Sequence, residues 1–263
     1  MRTVPFLALI LVLLNVSAKA DVRDSLKAGE TAIVSSVVDG DTVVLGHPIQ
    51  GASEIRLVGI QAPKLSLGRR NFKAWPLSPE SKIALEKLTL GKSVQLFYGG
   101  TNMDRHGRLL AHLFLPDGTW VQGEMLAQGM ARVYTFPDNR SVTDQMYESE
   151  QQARSKRSGI WYNPFYGIRQ ASETLIRRIG TFQIIEGQIL EVAKVKGTVY
   201  LNFADNWRTD FTISIRSKAV RMFKPLAIDL LSLKGQKIRV RGWLKKRNGP
   251  MIELTHPEQL EIL

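Results

Sequence analysis

The stretch Val37-Val38-Asp39-Gly40-Asp41-Thr42-Val43-Val44 sets two carboxylates on either side of a glycine, between two runs of β-branched residues. Such runs read as strands that meet at a tight turn. Gly40 lets that turn close and brings Asp39 and Asp41 together, an arrangement suited to a hard cation or to a phosphate-handling site. Downstream, Arg56 lies in an alternating, strand-like run, and Arg108 ends Asp104-Arg105-His106-Gly107-Arg108. Acid, arginine and arginine in that order suit phosphodiester chemistry, in which guanidinium forks hold a phosphate.

Around this turn the pattern predicts three strands, over 31–38, 42–45 and 54–60, with 46–53 as a hairpin loop. Ser78-Pro79-Glu80 opens a helix with a first-turn proline and an early acid, and Gly91 ends it. Two more strands are expected over 94–98 and 108–114, then a short helix over 121–128 and a longer polar one over 143–157. Five strands with interposed helices predict an N-terminal five-stranded barrel of the oligonucleotide-binding (OB) type. Trp161-Tyr162-Asn163-Pro164 breaks the pattern, so 163–180 reads as a linker. A second all-β run follows over 182–192, 198–203, 211–215, 237–244 and 251–254. With a helix-like segment at 217–231, it predicts a second, smaller OB-like barrel. The fold class is therefore α+β, mainly β, with domains at 21–162 and 181–263.

The ends and the charge narrow the setting. Met1-Arg2-Thr3, an apolar run over 4–14 and Ser17-Ala18-Lys19-Ala20 describe a secretory signal over 1–20, cleaved after Ala20. The apolar run is far shorter than the roughly 20 residues a membrane span needs, and no later stretch is longer. The expected location is the periplasm or the outside of the cell. The absence of cysteine leaves packed cores as the source of stability. A formal charge of +12, or +10 without Arg2 and Lys19, favours polyanionic partners such as nucleic acid, DNA or RNA, without choosing among polyanions. Oligomeric state is not legible.

Taken together, Val38-Asp39-Gly40-Asp41-Thr42, Arg56-Leu57-Val58-Gly59-Ile60 with Ala62-Pro63, and Asp104-Arg105-His106-Gly107-Arg108 resemble the thermonuclease family, of staphylococcal nuclease fold. Leu126-Ala127-Gln128-Gly129-Met130-Ala131-Arg132-Val133 and Gly159-Ile160-Trp161 extend the resemblance across roughly 30–162. It implies a calcium ion held by Asp41, by a second carboxylate at position 61 and by a carbonyl beside it, at Ala62. It also implies a water-activating glutamate at position 64 and phosphate-binding roles for Arg56 and Arg108. This chain departs at both acidic positions, with Gln61 and Lys64. Calcium affinity follows the carboxylates supplied, so calcium binding should be weak. A lysine is protonated at neutral pH and is a poor base.

Lys64 therefore reads either as a third cation beside Arg56 and Arg108 in a phosphate clamp, or as a solvated loop lysine. Substitute bases are His106, whose ordinary pKa suits the task, and Glu54, two residues before Arg56 on the same strand face. In the second domain, Lys237, Arg239, Arg241 and Trp243 alternate with apolar residues and predict a basic, aromatic-tipped face for nucleic acid. Three functions stay open: a backbone-binding protein with weakened, altered or lost calcium-dependent hydrolysis, an active phosphodiesterase with a substitute base, or a non-enzymatic envelope adaptor.

Overall fold

A computed structural model describes residues 21–263, so the expected signal over 1–20 lies outside the described residues. β1 (Lys27–Asp39) is long because it serves two neighbours, β2 (Thr42–Ile49) along one edge and β5 (Ser93–Tyr98) along the other. Register shifts within it bend the strand between those partners, as β-bulges do. β3 (Ala52–Leu57) follows β2 and pairs in parallel with β6 (Leu109–Phe114), and β6 pairs with β5, so the order β1-β2-β3-β6-β5 closes a barrel. Inward residues such as Val34, Val43, Ile55, Leu57, Leu96 and Leu113 fill it. α1 (Ser78–Thr89), α2 (Val121–Ala127) and α3 (Thr143–Ser155) lie in the same half of the chain. β4 (Ile60–Gln61) and β7 (Arg132–Val133) form a separate two-stranded ladder.

The second half repeats that topology. β9 (Phe182–Gln188), β10 (Glu191–Val195), β11 (Thr198–Asn202), β12 (Thr212–Ile215), β13 (Lys237–Arg247) and β14 (Gly249–Leu254) share one sheet. Its order is β10-β11-β12-β14-β13-β9, with β12 and β14 parallel as β3 and β6 are. Only Ile189 and Leu190 separate β9 from β10, so the two ends of the path are the halves of one bent strand. α4 (Ser217–Phe223) sits between β12 and β13, as α1 sits between β3 and β5. It is shorter than expected because Pro225 cannot continue a helix and Ala227 turns left-handed.

Two expectations are corrected here. The supposed linker is folded: β8 (Arg169–Gln170) pairs with β9, Leu175 joins the second core, and the Tyr166 hydroxyl donates to the Pro76 carbonyl at 2.7 Å. The supposed basic face along 237–243 is largely the join between the barrels. Arg241 is 1% exposed, and its guanidinium reaches both Glu150 oxygens on α3 at 3.0 Å and Glu261 at 2.9 Å. Arg239 pairs with Glu186 and Glu261, and the Trp243 indole N–H donates to the Tyr134 hydroxyl at 2.9 Å. Lys237 stays exposed at the strand's start. β13 is also interior to its sheet, between β9 and β14, with β15 (Leu260–Ile262) beside its first half. Arg239 and Arg241 are consumed by acids of β9, α3 and the C-terminal segment, which alternation alone does not reveal.

Burial also predicts a pH response. His112 is enclosed, and burial lowers its pKa to about 3; His256, bonded to Thr135 across the join, is lowered to about 4, by burial and then by Arg140. Both rings are neutral when folded, while the unfolded chain binds protons below about 6.5. Their contribution is complete above that pH and declines as pH falls toward the folded values, by about 1.4 kcal/mol per pH unit for each ring. The His112 Nδ1 has no hydrogen-bond partner, so His112→Leu strands no protein group there. Unfolding free energies from urea titrations between pH 6.5 and 4.5 should therefore fall less steeply in that variant, by up to about 1.4 kcal/mol per pH unit.

Candidate active site

The acidic turn connects β1 to β2 and is pressed against α1. A Cβ at Gly40 would lie 1.9 Å from the Ser81 hydroxyl and 2.8 Å from the Ala62 Cβ. Glycine is required there for close approach, and its φ is not in the left-handed region. Asp41 is fully buried and Asp39 nearly so. The Asp41 backbone N–H donates to Asp39 at 3.1 Å, and the Ala62 N–H donates to the Asp41 carboxylate at 2.8 Å.

Two cations complete this cluster. The Lys64 ammonium lies 2.7 Å from both oxygens of Asp41 and 3.3 Å from Asp39. Arg56, projecting from β3, lies 3.2 Å from Asp41 and donates to the carbonyls of Asp41, Leu57 and Ile60. Two carboxylates thus face two cations, and the cluster is neutral without any added ion. Burial alone would raise the Asp41 pKa, but Arg56 and Lys64 outweigh it and hold the carboxyl well below the usual range. Asp39 moves the other way, raised by burial and by the neighbouring Asp41 charge.

The position expected to supply a second metal carboxylate faces elsewhere. Gln61 is paired with Arg132 across the β4–β7 ladder, and its amide oxygen accepts from that guanidinium at 3.0 and 2.7 Å. Arg132 is buried, with its pKa lowered to about 10 by desolvation, and it rests over the Phe182 ring at 4.5 Å. The donor set around Asp41 does not fit calcium: one carboxylate is capped on both oxygens by an ammonium, and the neighbouring amide oxygen is engaged. Among the described residues, no group of three or more His, Asp or Glu side chains is placed to hold a metal.

Arg108 belongs to a second, open patch. Its guanidinium donates to Asp104 at 2.8 and 2.6 Å, while the other Asp104 oxygen accepts the His106 and Arg108 backbone N–H groups. Glu54, His106 and Arg108 line one depression, which Arg56 and Lys64 do not. The three cations share no one acid: Lys64 and Arg56 engage Asp41, while Arg108 engages Asp104. Lys64 joins Arg56 over the acids, and Arg108 joins the two candidate bases.

Sequence reasoning missed the loop between Lys64 and Trp75, which a Trp75 N–H to Lys64 carbonyl bond closes at 2.9 Å. It exposes Arg69, Arg70 and Lys73, with Arg69 stacked on Phe72 at 3.8 Å, and Lys64 at its start contacts the acidic turn. The signal was the basic run Gly68-Arg69-Arg70-Asn71-Phe72-Lys73.

Comparison with known proteins agrees with this architecture. The family model "Staphylococcal nuclease homologue" matches residues 54–163, which carry Arg56, Gln61, Lys64 and Arg108. An endonuclease of Escherichia coli O157:H7, described as uncharacterized, is 31% identical over 128 residues, covering 49% of this chain and 74% of that protein. This chain belongs to the staphylococcal nuclease homologue family. The thermonuclease of Staphylococcus intermedius is 26% identical over 133 residues, 51% of this chain and 77% of its own length. The SPbeta prophage-derived endonuclease YokF of Bacillus subtilis is 33% identical over 126 residues, but these cover only 41% of it and 47% of this chain. The matched residues include Gln61 and Lys64, the two positions at which an acid is expected.

Proposed function

We propose that this protein is exported and engages the phosphodiester backbone of nucleic acid, with calcium-dependent hydrolysis lost or greatly weakened. The observation that carries the reading is the Lys64 ammonium at 2.7 Å from both oxygens of Asp41. A dication would have to expel that ammonium from the carboxylate it needs. Without a metal the site lacks several kcal/mol of charge stabilisation, and without a glutamate at position 64 it lacks roughly 10²–10⁴ in rate from a positioned base. What remains suits binding: Arg108 at the open depression, and Arg69, Arg70 and Lys73 on the adjoining loop.

Gel retardation of DNA and RNA, with and without calcium or EDTA, tests this. The mature chain should retard both at low salt, with affinity falling steeply as salt rises. Calcium should produce no cleavage. Robust digestion that needs calcium would overturn the reading.

A second reading, metal-independent cleavage, is favoured by Glu54, His106 and Arg108 lining one depression. It requires EDTA-resistant cutting that His106→Ala or Glu54→Gln abolishes.

A further inference from the structure

The outer face of the second barrel carries a groove of about 440 Å³, remote in the chain from the acidic turn. Tyr200 and Asn202 of β11, Thr212 of β12 and Met251 of β14 line it, together with Trp207 and Arg247. Alternation explains the floor. Val199 and Leu201 enter the core, which turns Tyr200 and Asn202 outward. Trp207 comes from the loop between β11 and β12, and Arg247 from the end of β13.

The Trp207 indole is 51% exposed, yet its loop is fixed. The Asn206 carbonyl accepts the Thr209 and Asp210 N–H groups at 3.1 and 3.0 Å. The Asp210 carboxylate accepts the Phe203 N–H at 2.6 Å and also that of Ala204. The Arg208 guanidinium sits 4.9 Å from the indole centroid. Among the exposed cations, Arg247 lines the groove and Arg208 lies against the Trp207 indole. Glu253 on β14 is neutralised by Arg216 and Lys245, which leaves Asp205 as the exposed acid of the Trp207 loop.

We infer that this groove binds single-stranded nucleic acid, with an unpaired base stacked on Trp207 or Tyr200 and phosphates held by Arg247 and Arg208. A fixed, exposed indole beside a tyrosine offers π-faces that any unpaired base can use, whereas a duplex keeps its bases stacked inside. Barrels of this topology bind oligonucleotides or oligosaccharides over their second and third strands, here β11 and β12, whose Tyr200, Asn202 and Thr212 line the groove. The cationic rim selects the charged ligand over a neutral sugar. The inference shares its ligand with the reading of the first barrel and depends on none of that barrel's residues.

Fluorescence anisotropy of a labelled oligothymidylate, with oligouridylate alongside, tests it on the mature chain. Trp207→Ala and Tyr200→Ala should each weaken binding about tenfold, as loss of one base–aromatic stack does, while Trp207→Phe retains most of it. Because Trp207 is a half-exposed loop residue, its replacement leaves the core intact. Arg108→Ala reports the first barrel separately. Weakening by Arg108→Ala alone, with both aromatic variants unchanged, would overturn the inference and leave the first-barrel reading standing. A neutral maltooligosaccharide that binds and is lost in the same two aromatic variants would also overturn it.

Discussion

Replacing Arg241 with methionine is expected to destabilise the chain by about 3–5 kcal/mol, the range for removing one partner of a buried ion pair. Glu150 is completely buried, and both its oxygens are bonded to Arg241 at 3.0 Å. Without that guanidinium, Glu150 keeps the Val133 N–H at 2.6 Å and Arg154 at 3.7 Å, a poor substitute for a bidentate fork. Because Glu150 belongs to α3 and Arg241 to β13, the loss falls on the join. Urea unfolding should then separate into two transitions, one for each core. Changing Glu150 to leucine in the same chain should recover part of the lost stability, since an apolar pair can replace a buried ionic one while the Val133 N–H loses its acceptor. A single transition at the unaltered midpoint in Arg241→Met would refute this account of the join.

Lys64→Glu is expected to turn a calcium-indifferent site into a calcium-dependent one. In EDTA the variant places a third carboxylate beside Asp39 and the buried Asp41 and removes the ammonium that neutralised them. The cost should approach the same 3–5 kcal/mol, moderated by Arg56, which remains 3.2 Å from Asp41. Calcium should reverse it, since a ligand at a hundred times its Kd adds about 2.7 kcal/mol to the folded state. Adding Gln61→Asp should help little by itself, because an acid there meets the buried Arg132 and forms an ion pair. Thermal unfolding with calcium and with EDTA checks both statements. The unaltered chain should show no calcium shift, and an equal shift in parent and variant would refute the role given to Lys64.

The fold was legible because its signals are local. The Asp-Gly-Asp turn, the alternation in β5 and β6 and the proline at the start of α1 each follow from neighbours in sequence. Even the second barrel could be outlined from Val199, Leu201, Ile213 and Ile215. The engagement of each site residue was not legible, since it depends on partners distant in sequence. Gln61 looked like a spare metal ligand until β7 brought Arg132 against it. Arg239 and Arg241 looked solvent-facing because their acids, Glu150, Glu186 and Glu261, lie 20 to 91 positions away. The 163–180 stretch looked like a linker because proline and asparagine mark its start, while Tyr166 and Leu175 bury themselves in separate neighbours. Lys64 was legible as a cation near the site, but its pairing with both oxygens of Asp41 was not, since a lysine there suits either a phosphate clamp or a solvated loop.

The join has a consequence for how the chain is made. Thr135 waits for His256, 121 positions later, and Glu150 waits for Arg241, 91 positions later. During synthesis the N-terminal barrel can complete its own strands while α3 still shows a bare carboxylate to water. That acid can be enclosed only once β13 has emerged, so the two halves cannot close on each other before the second barrel's strands are made.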